Sequence, residues 1–316
     1  MLHLRQLQPV NFQEIWATIG AFDGVHIGHQ SIIRSLVSTA QEKQKTTAVI
    51  TFHPHPAVVL RSIPMPFYLN TPEEKAEYFS QLGIDITLTL SFTSEMAALD
   101  PEAFFNMVCQ HLPLRRLYLG TDFALGKGRS GTIPVIREIG KLYEFEVKEA
   151  EFIMQNENKV SSSQIRKWLA DGNLEATNTA LGRYFSLSGT VIHGDARGRS
   201  IGFPTANIAV WEGKLLPSPG VYACWVKLND QVHTAVTNIG YRPTFENNRP
   251  AIRVETHLLH FDSDLYDQKL ELFFVNKLRP EIKFENLSAL VQQIHLDVQK
   301  SEEILKNAAK PTSLSA

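Results

Sequence analysis

Near Arg183 the hydrophobic pattern of the chain changes period, and that change constrains the fold more than any other feature. Before it, short apolar, β-rich runs recur at Ile15–Gly20, Thr47–Phe52, Asp85–Phe92, Arg116–Gly120 and Phe145–Ala150. Between them the period is helical: Gln30–Lys43 places Ile32, Ile33, Leu36 and Val37 on one face. Thr71-Pro72-Glu73-Glu74 reads as an N-cap, a first-turn proline and the glutamate of a capping box, and Asp100-Pro101-Glu102 opens another helix. Ser161–Ala170 reads as helical and stops at Asp171-Gly172. Strand–helix alternation predicts an α/β domain with a parallel sheet and right-handed crossovers. From Phe185 to Val275 the runs Ser188–His193, Gly220–Leu228, His233–Asn238, Arg253–Leu259 and Lys269–Val275 are separated by Gly, Pro, Asn and Asp, with no long helical period. They predict an antiparallel β domain, closed or nearly closed into a barrel. A terminal helix from about Phe284 to Leu305, with Leu287, Leu290, Val291, Ile294 and Val298 in a stripe, is expected to cover it. The expected domains are 1–183 and 184–316.

A chain of 316 residues suits two domains, and 43% hydrophobic residues suffice for two cores. With a net charge of −2, nothing global suggests a nucleic-acid or membrane surface, so anionic ligands must be held by local donors. Cys109 and Cys224 are far apart and form no CxxC pair, which fits buried thiols in a reducing compartment. The first residues, MLHLRQLQPVNF, lack the apolar core of a signal peptide, and the chain reads as a cytoplasmic protein.

The turn leaving the first strand is Gly20-Ala21-Phe22-Asp23-Gly24-Val25-His26-Ile27-Gly28-His29. In an open parallel sheet ligands sit at the carboxyl ends of strands. The helix N-terminus that follows offers free N–H groups and a positive dipole end to phosphate. Gly24 and Gly28 let the backbone come close. His26 and His29 can face one point and donate to phosphate oxygens as charge develops. A satisfied polar turn or half a metal site would show two histidines as well. The eight fixed residues of G-x-F-D-G-V-H-x-G-H, however, coincide by chance at roughly one in 10¹⁰ per position, taking ~1/20 each.

Three further segments follow in order. In Thr51-Phe52-His53-Pro54-His55-Pro56 the prolines fix an extended loop, whose histidines either frame a ligand or cap a turn. Gly120-Thr121-Asp122-Phe123-Ala124-Leu125-Gly126-Lys127-Gly128-Arg129-Ser130-Gly131 is a glycine-rich loop whose cations either neutralise phosphates or are solvated. Ser161-Ser162-Ser163-Gln164-Ile165-Arg166 opens a helix with hydroxyls that cap it or bind an anion, and Arg166 one turn in could clamp a triphosphate. Together the four segments resemble the HxGH nucleotidyltransferases, in particular the adenylyltransferase module of bacterial bifunctional riboflavin kinase/FAD synthetases. The resemblance implies a Rossmann-like nucleotidyltransferase domain that transfers AMP from ATP to FMN. It assigns catalysis to His26, His29 and Arg166, and nucleotide contacts to Gly20, Phe22, Asp23, Gly24, Gly28, Ser161, Ser162 and Ser163. It assigns flavin contacts to His55, Pro56, Asp122 and Phe123. Leu125 stands where the family usually has an aromatic, and Ser163 where it usually has threonine.

The β-rich half carries Gly189-Thr190-Val191-Ile192-His193-Gly194, then Gly198-Arg199-Ser200-Ile201-Gly202-Phe203-Pro204-Thr205-Ala206-Asn207. Glycine-rich turns expose consecutive N–H groups to phosphates. Thr205 and Asn207 offer neutral oxygens suited to magnesium held mainly by nucleotide and water. No GxxxxGK[ST] string is present, so this is not a P-loop. Strand alternation puts Glu255 on one face with Arg253 and His257, opposite Val254, Thr256 and Leu258. There it is either a solvated carboxylate or a base for a substrate hydroxyl.

These strings, with Gly220–Ala223, Asn238–Phe245, Asp264–Tyr266 and Leu278–Glu281, resemble riboflavin kinase. The resemblance implies Glu255 as base, nucleotide contacts from Gly194, Gly198, Arg199, Gly202, Pro204 and Thr205, and Mg²⁺ on Thr205 and Asn207. Flavin contacts are implied for Asn238, Arg242 and Thr244. The whole then implies ATP-dependent conversion of riboflavin to FMN and of FMN to FAD, with ATP, riboflavin, FMN and FAD as small-molecule partners and neither nucleic acid nor membrane. The alternative is a monofunctional riboflavin kinase with a non-catalytic, flavin- or nucleotide-binding N-terminal domain.

Overall fold

The computed structural model describes residues 1–150, 160–194, 198, 201–242 and 251–311. The chain divides into two compact units between Ser162 and Ser163. Among the described residues no helix is long and apolar enough to cross a membrane.

In the first unit the order is β1 (Leu2–Leu4), β2 (Ile15–Ile19), α1 (Ile27–Glu42), β3 (Thr46–His53), α2 (Pro56–Arg61), α3 (Pro72–Gln81), β4 (Ile86–Ser91), α4 (Ser94–Ala98), α5 (Pro101–Cys109) and β5 (Leu114–Gly120). Two-residue strands β6 (Ala124–Leu125) and β7 (Gly131–Thr132), then α6 (Ile133–Leu142) and β8 (Glu146–Ala150), complete it. The sheet is parallel throughout, in the order β1-β4-β3-β2-β5-β8. Every residue of β2 is buried because both faces are covered. Ile15, Ala17 and Ile19 join a core with Leu88, Phe105 and Ile136 on one side. Trp16 joins Ile33, Leu36 and Phe79 on the other. The chain steps outward from β2 through β3 to β4, then returns to lay β5 on the opposite side of β2. The carboxyl ends of β2 and β5 therefore flank a topological switch point, where such sheets bind ligands. The expected capping box is present: Thr71 Oγ1 accepts from the Glu74 N–H at 3.1 Å, and Glu74 Oε2 accepts from the Thr71 N–H at 3.0 Å. β1 was not expected, since three residues are too few to show a period.

The second unit takes in α7 (Ser162–Asp171) beyond its first residue, α8 (Leu174–Leu181), β9 (Phe185–Ile192), β10 (Ala206–Ala209), β11 (Gly220–Leu228), β12 (Gln231–Arg242), β13 (Ala251–Leu258), β14 (Lys269–Arg279) and α9 (Leu287–Asn307). The six strands close into an antiparallel barrel in the order β10-β13-β12-β11-β14-β9. Asn178 of α8 stitches onto it, donating to the Phe274 carbonyl at 3.0 Å and accepting from the Phe185 N–H at 2.7 Å. α9 covers the barrel through part of the expected stripe: Val298 packs against the barrel core and Leu290, Val291 and Ile294 are half-buried, whereas Leu287 is 60% exposed. The fully buried residues of the helix are Asp297, Ser301 and Leu305. The anchor is polar: Arg279 of β14 holds the Asp297 carboxylate with Nε–Oδ1 and Nε–Oδ2 distances of 3.0 Å and Nη2–Oδ2 of 2.8 Å. Burial pushes the Cys109 thiol up to about 11 and the Cys224 thiol up to about 12; Cys224 is buried as expected, whereas Cys109 is half-buried.

Candidate active sites

The first site grows from the turn between β2 and α1. Phe22 (φ 48°), Gly24 (φ 87°) and Val25 (φ 40°) adopt left-handed conformations that fold the turn tightly over the sheet edge. Buried Phe22 lies under Gly20 and meets the rings of His29 and Phe79 edge-on, at 5.1 and 5.8 Å. His26 caps α1: its Nδ1 accepts from the His29 N–H at 3.4 Å, leaving Nε2 to carry the proton. The two imidazoles stack at 3.6 Å with an interplanar angle of 19°. The expectation that they face one point is thus met, at the positive end of a 16-residue helix.

Asp23 is 2% exposed, and its carboxylate accepts from the Leu69 N–H at 3.1 Å and the Asn70 N–H at 3.4 Å. Its side chain is thereby engaged in fixing the segment that leads into α3. Its carbonyl accepts from the Ser162 hydroxyl at 2.7 Å. Ser161 and Ser163 are exposed, and Arg166 lies half-buried on α7.

His55 caps α2 by accepting from the Ala57 N–H at 3.0 Å, Pro56 fills the first helical position, and the His55 ring meets Phe67 edge-on at 5.1 Å. Burial, then the nearby Lys75 ammonium, hold the His53 imidazole below its ordinary pKa. Asp122 is exposed and lends its carbonyl to Arg129 Nη2 at 3.3 Å, while Phe123 packs against the core below the loop. Lys75 escapes the motif reading. It lies 4% exposed behind this turn, on the stripe with Pro72, Ala76 and Phe79, and a lysine at core spacing was the available signal.

The second site is a cavity of about 370 Å³ in the barrel unit, within the size range of small-molecule sites. One wall is strand, carrying Asn238, Glu255 and His257; another is formed by Gly198, Ile201, Phe203 and Thr205; a third is α9, through Leu290 and Ile294. The expected alternation of β13 holds: Arg253, Glu255 and His257 are half-buried, while Val254, Thr256 and Leu258 are buried. Register places Glu255 opposite Asn207 of β10 on one side and Asn238 of β12 on the other. The Arg253 guanidinium is 3.6 Å from the Glu255 carboxylate. His257 Nδ1 donates to the Pro204 carbonyl at 2.7 Å, which pins the turn next to Thr205. Two glycines are required by close approach. A Cβ on Gly198 would lie 2.3 Å from the Phe203 carbonyl oxygen, and one on Gly194 would lie 2.1 Å from Asn207 Nδ2. Gly202 (φ 85°) is exposed in the same turn. Arg199 and Thr244 lie outside the described residues, as does the side chain of Arg242. Among the described residues no three His, Cys, Asp or Glu gather as metal ligands; the cavity's side-chain oxygens include those of Thr205, Glu255, Glu281 and Asp297, and Asn207 lies opposite Glu255 in register. Arg279 and Asp297, which also line the cavity, carried no expected role.

Residues 8–164 match the FAD synthetase family and residues 181–305 the riboflavin kinase family. The bifunctional riboflavin kinase/FMN adenylyltransferase of Listeria monocytogenes is 38% identical over 282 residues, 89% of each chain. That of Escherichia coli (strain K12) is 34% identical, covering 90% of this chain and 91% of its own. A crystal structure described as a macrolide-efflux protein from Streptococcus pneumoniae superposes with a TM-score of 0.84 at 26% identity, covering 98% of this chain and 100% of that one. Two family matches in series, and relatives spanning nearly the whole length, place this chain in the bifunctional riboflavin kinase/FMN adenylyltransferase family.

Proposed function

We propose that the barrel unit phosphorylates riboflavin and that the parallel-sheet unit adenylylates the resulting FMN, both from ATP, in the cytoplasm. The observation that carries this reading is one chain holding two separate phosphate-competent turns: stacked His26 and His29 at the start of α1, and Gly198–Thr205 beside Glu255.

In the kinase step the ribityl terminal hydroxyl attacks the γ-phosphorus of ATP and ADP leaves. Glu255, held between Asn207 and Asn238, takes the hydroxyl proton. The neutral oxygens of Thr205 and Asn207 fit a nucleotide-borne Mg²⁺, which when bound neutralises phosphate charge. The flavin contacts assigned by resemblance here are Asn238, Arg242 and Thr244, and the nucleotide contacts are Gly194, Gly198, Arg199, Gly202, Pro204 and Thr205.

In the adenylyl step an FMN phosphate oxygen attacks the α-phosphorus of ATP and pyrophosphate leaves, so no protein nucleophile is needed. His26, His29, the first amides of α1 and Arg166 offset the developing charge. The flavin contacts assigned by resemblance are His55, Pro56, Asp122 and Phe123. The domain boundary that goes with this reading lies at 183/184, after α7 and α8, whereas the compact units divide between Ser162 and Ser163 and the FAD synthetase match ends at 164.

Incubating the protein with riboflavin and Mg-ATP and resolving flavins over time tests the scheme. FMN should rise first and FAD follow. FMN accumulating with no FAD reduces the protein to the monofunctional kinase.

A further inference from the structure

Lys75 is a buried cation, 4% exposed, that the proposed chemistry leaves unused. Its Nζ donates to the Ala21 carbonyl at 3.1 Å, to Thr51 Oγ1 at 3.1 Å and to the Phe52 carbonyl at 3.5 Å. The Thr51 hydroxyl passes its own hydrogen to the same Ala21 carbonyl at 3.1 Å. Ala21 is the second residue of the Gly20–His29 turn, and Phe52 directly precedes the His53–Pro56 loop. One ammonium thus ties the turn that leaves β2 to the carboxyl end of β3, and its three hydrogens match its three acceptors. Burying an ammonium costs several kcal/mol, and an apolar side chain of the same volume would serve the fold as well. Burial pushes Lys75 down to about 8, with the Asp23 carboxylate opposing the shift. The other charged and titratable groups around it are His53 at the end of β3, His3 and Arg5 from the first segment, and Glu73 on α3.

We infer that Lys75 is a positioning residue for adenylyl transfer: its ammonium locks the Ala21 and Phe52 carbonyls, and so fixes the turn that presents His26, His29 and the α1 amides to the nucleotide. The inference rests on the adenylyltransferase reading of the first unit. Above pH 8 the neutral amine has only two hydrogens for three acceptors, so the lock weakens as the pH rises through that value.

The test uses the full-length protein and two substitutions, Lys75→Met and Lys75→Arg, with FAD formation from FMN and Mg-ATP followed from pH 6.5 to pH 9.5. Wild type should lose turnover with a midpoint near pH 8. Lys75→Met should lower kcat for FAD formation by ~10–100-fold, with the alkaline limb gone, while FMN formation from riboflavin stays within about twofold. Lys75→Arg, which keeps the charge, should regain part of the turnover and move the limb upward. Wild-type-like turnover in Lys75→Met overturns the inference, and so does survival of the limb near pH 8 in that variant. Should Lys75→Met not fold, a flat wild-type profile across pH 7 to 9.5 overturns it without any variant. A wild-type protein that makes no FAD at all overturns the adenylyltransferase reading itself, which separates the two failures.

Discussion

The Arg279–Asp297 pair offers the most quantitative test of how α9 is held. Asp297 is 4% exposed and the Arg279 side chain 17%. The carboxylate also accepts from Gln293 Nε2 at 3.0 Å, and Arg279 Nη1 donates to the Pro280 carbonyl at 3.1 Å. In Asp297→Ala the guanidinium keeps its desolvation but loses its counter-charge. Removing one member of a buried pair costs about 3–5 kcal/mol, and the residual exposure of Arg279 argues for the lower end. At ~2–4 °C per kcal/mol for a unit of this size, the barrel transition should fall by ~6–12 °C. The double substitution Asp297→Leu with Arg279→Met should recover most of that loss, since an apolar pair of similar volume is often neutral or better. Thermal unfolding followed by circular dichroism, with the transition assigned by riboflavin-dependent stabilisation, reads both effects. Asp297→Ala melting within about 2 °C of wild type would refute the reasoning, as would a double variant less stable than the single one.

Three further outcomes are expected. His29→Ala should slow FAD formation by on the order of 10²–10³-fold and leave FMN formation nearly intact; a joint fall of both activities in a two-substrate assay contradicts separate sites. Glu255→Gln should slow FMN formation by ~10²–10⁴-fold with FAD formation from supplied FMN unchanged, and retained kinase turnover removes Glu255 as base. Gly198→Ala forces the Phe203 carbonyl to move from its 2.3 Å contact, so KM for ATP in the kinase step should rise by ~5–150-fold, given overpacking costs of ~1–3 kcal/mol; an unchanged KM means the turn does not touch the nucleotide.

What the sequence made legible was local. The Thr71 capping box, the Asp100 cap and the alternation of Arg253, Glu255 and His257 depend on neighbours a few residues away, and all are found in place. The stacked His26 and His29 follow from their spacing at a helix start. The parts not legible depend on distant partners. β1 exists because Leu2–Leu4 pairs with Ile86–Leu88, more than eighty positions away. Asp297 is buried because Arg279 reaches it from β14, while Leu290 and Ile294 of the apolar stripe line a cavity and Val298 packs on the barrel core. Asp23 reads as a nucleotide contact within its motif, yet its carboxylate meets amides at Leu69 and Asn70, which nothing in that motif announces.

The register of β13 carries a consequence for how this protein can vary. Glu255 stands between Asn207 and Asn238 only because the strand's side chains alternate. Losing or gaining one residue between Arg253 and Glu255 would turn the carboxylate into the buried face of the strand, with Val254, Thr256 and Leu258, and bring a residue of that face to the cavity. Length changes in this strand are therefore confined to steps of two, and each of its faces sets its own demand, one for the cavity and the other for the packed interior.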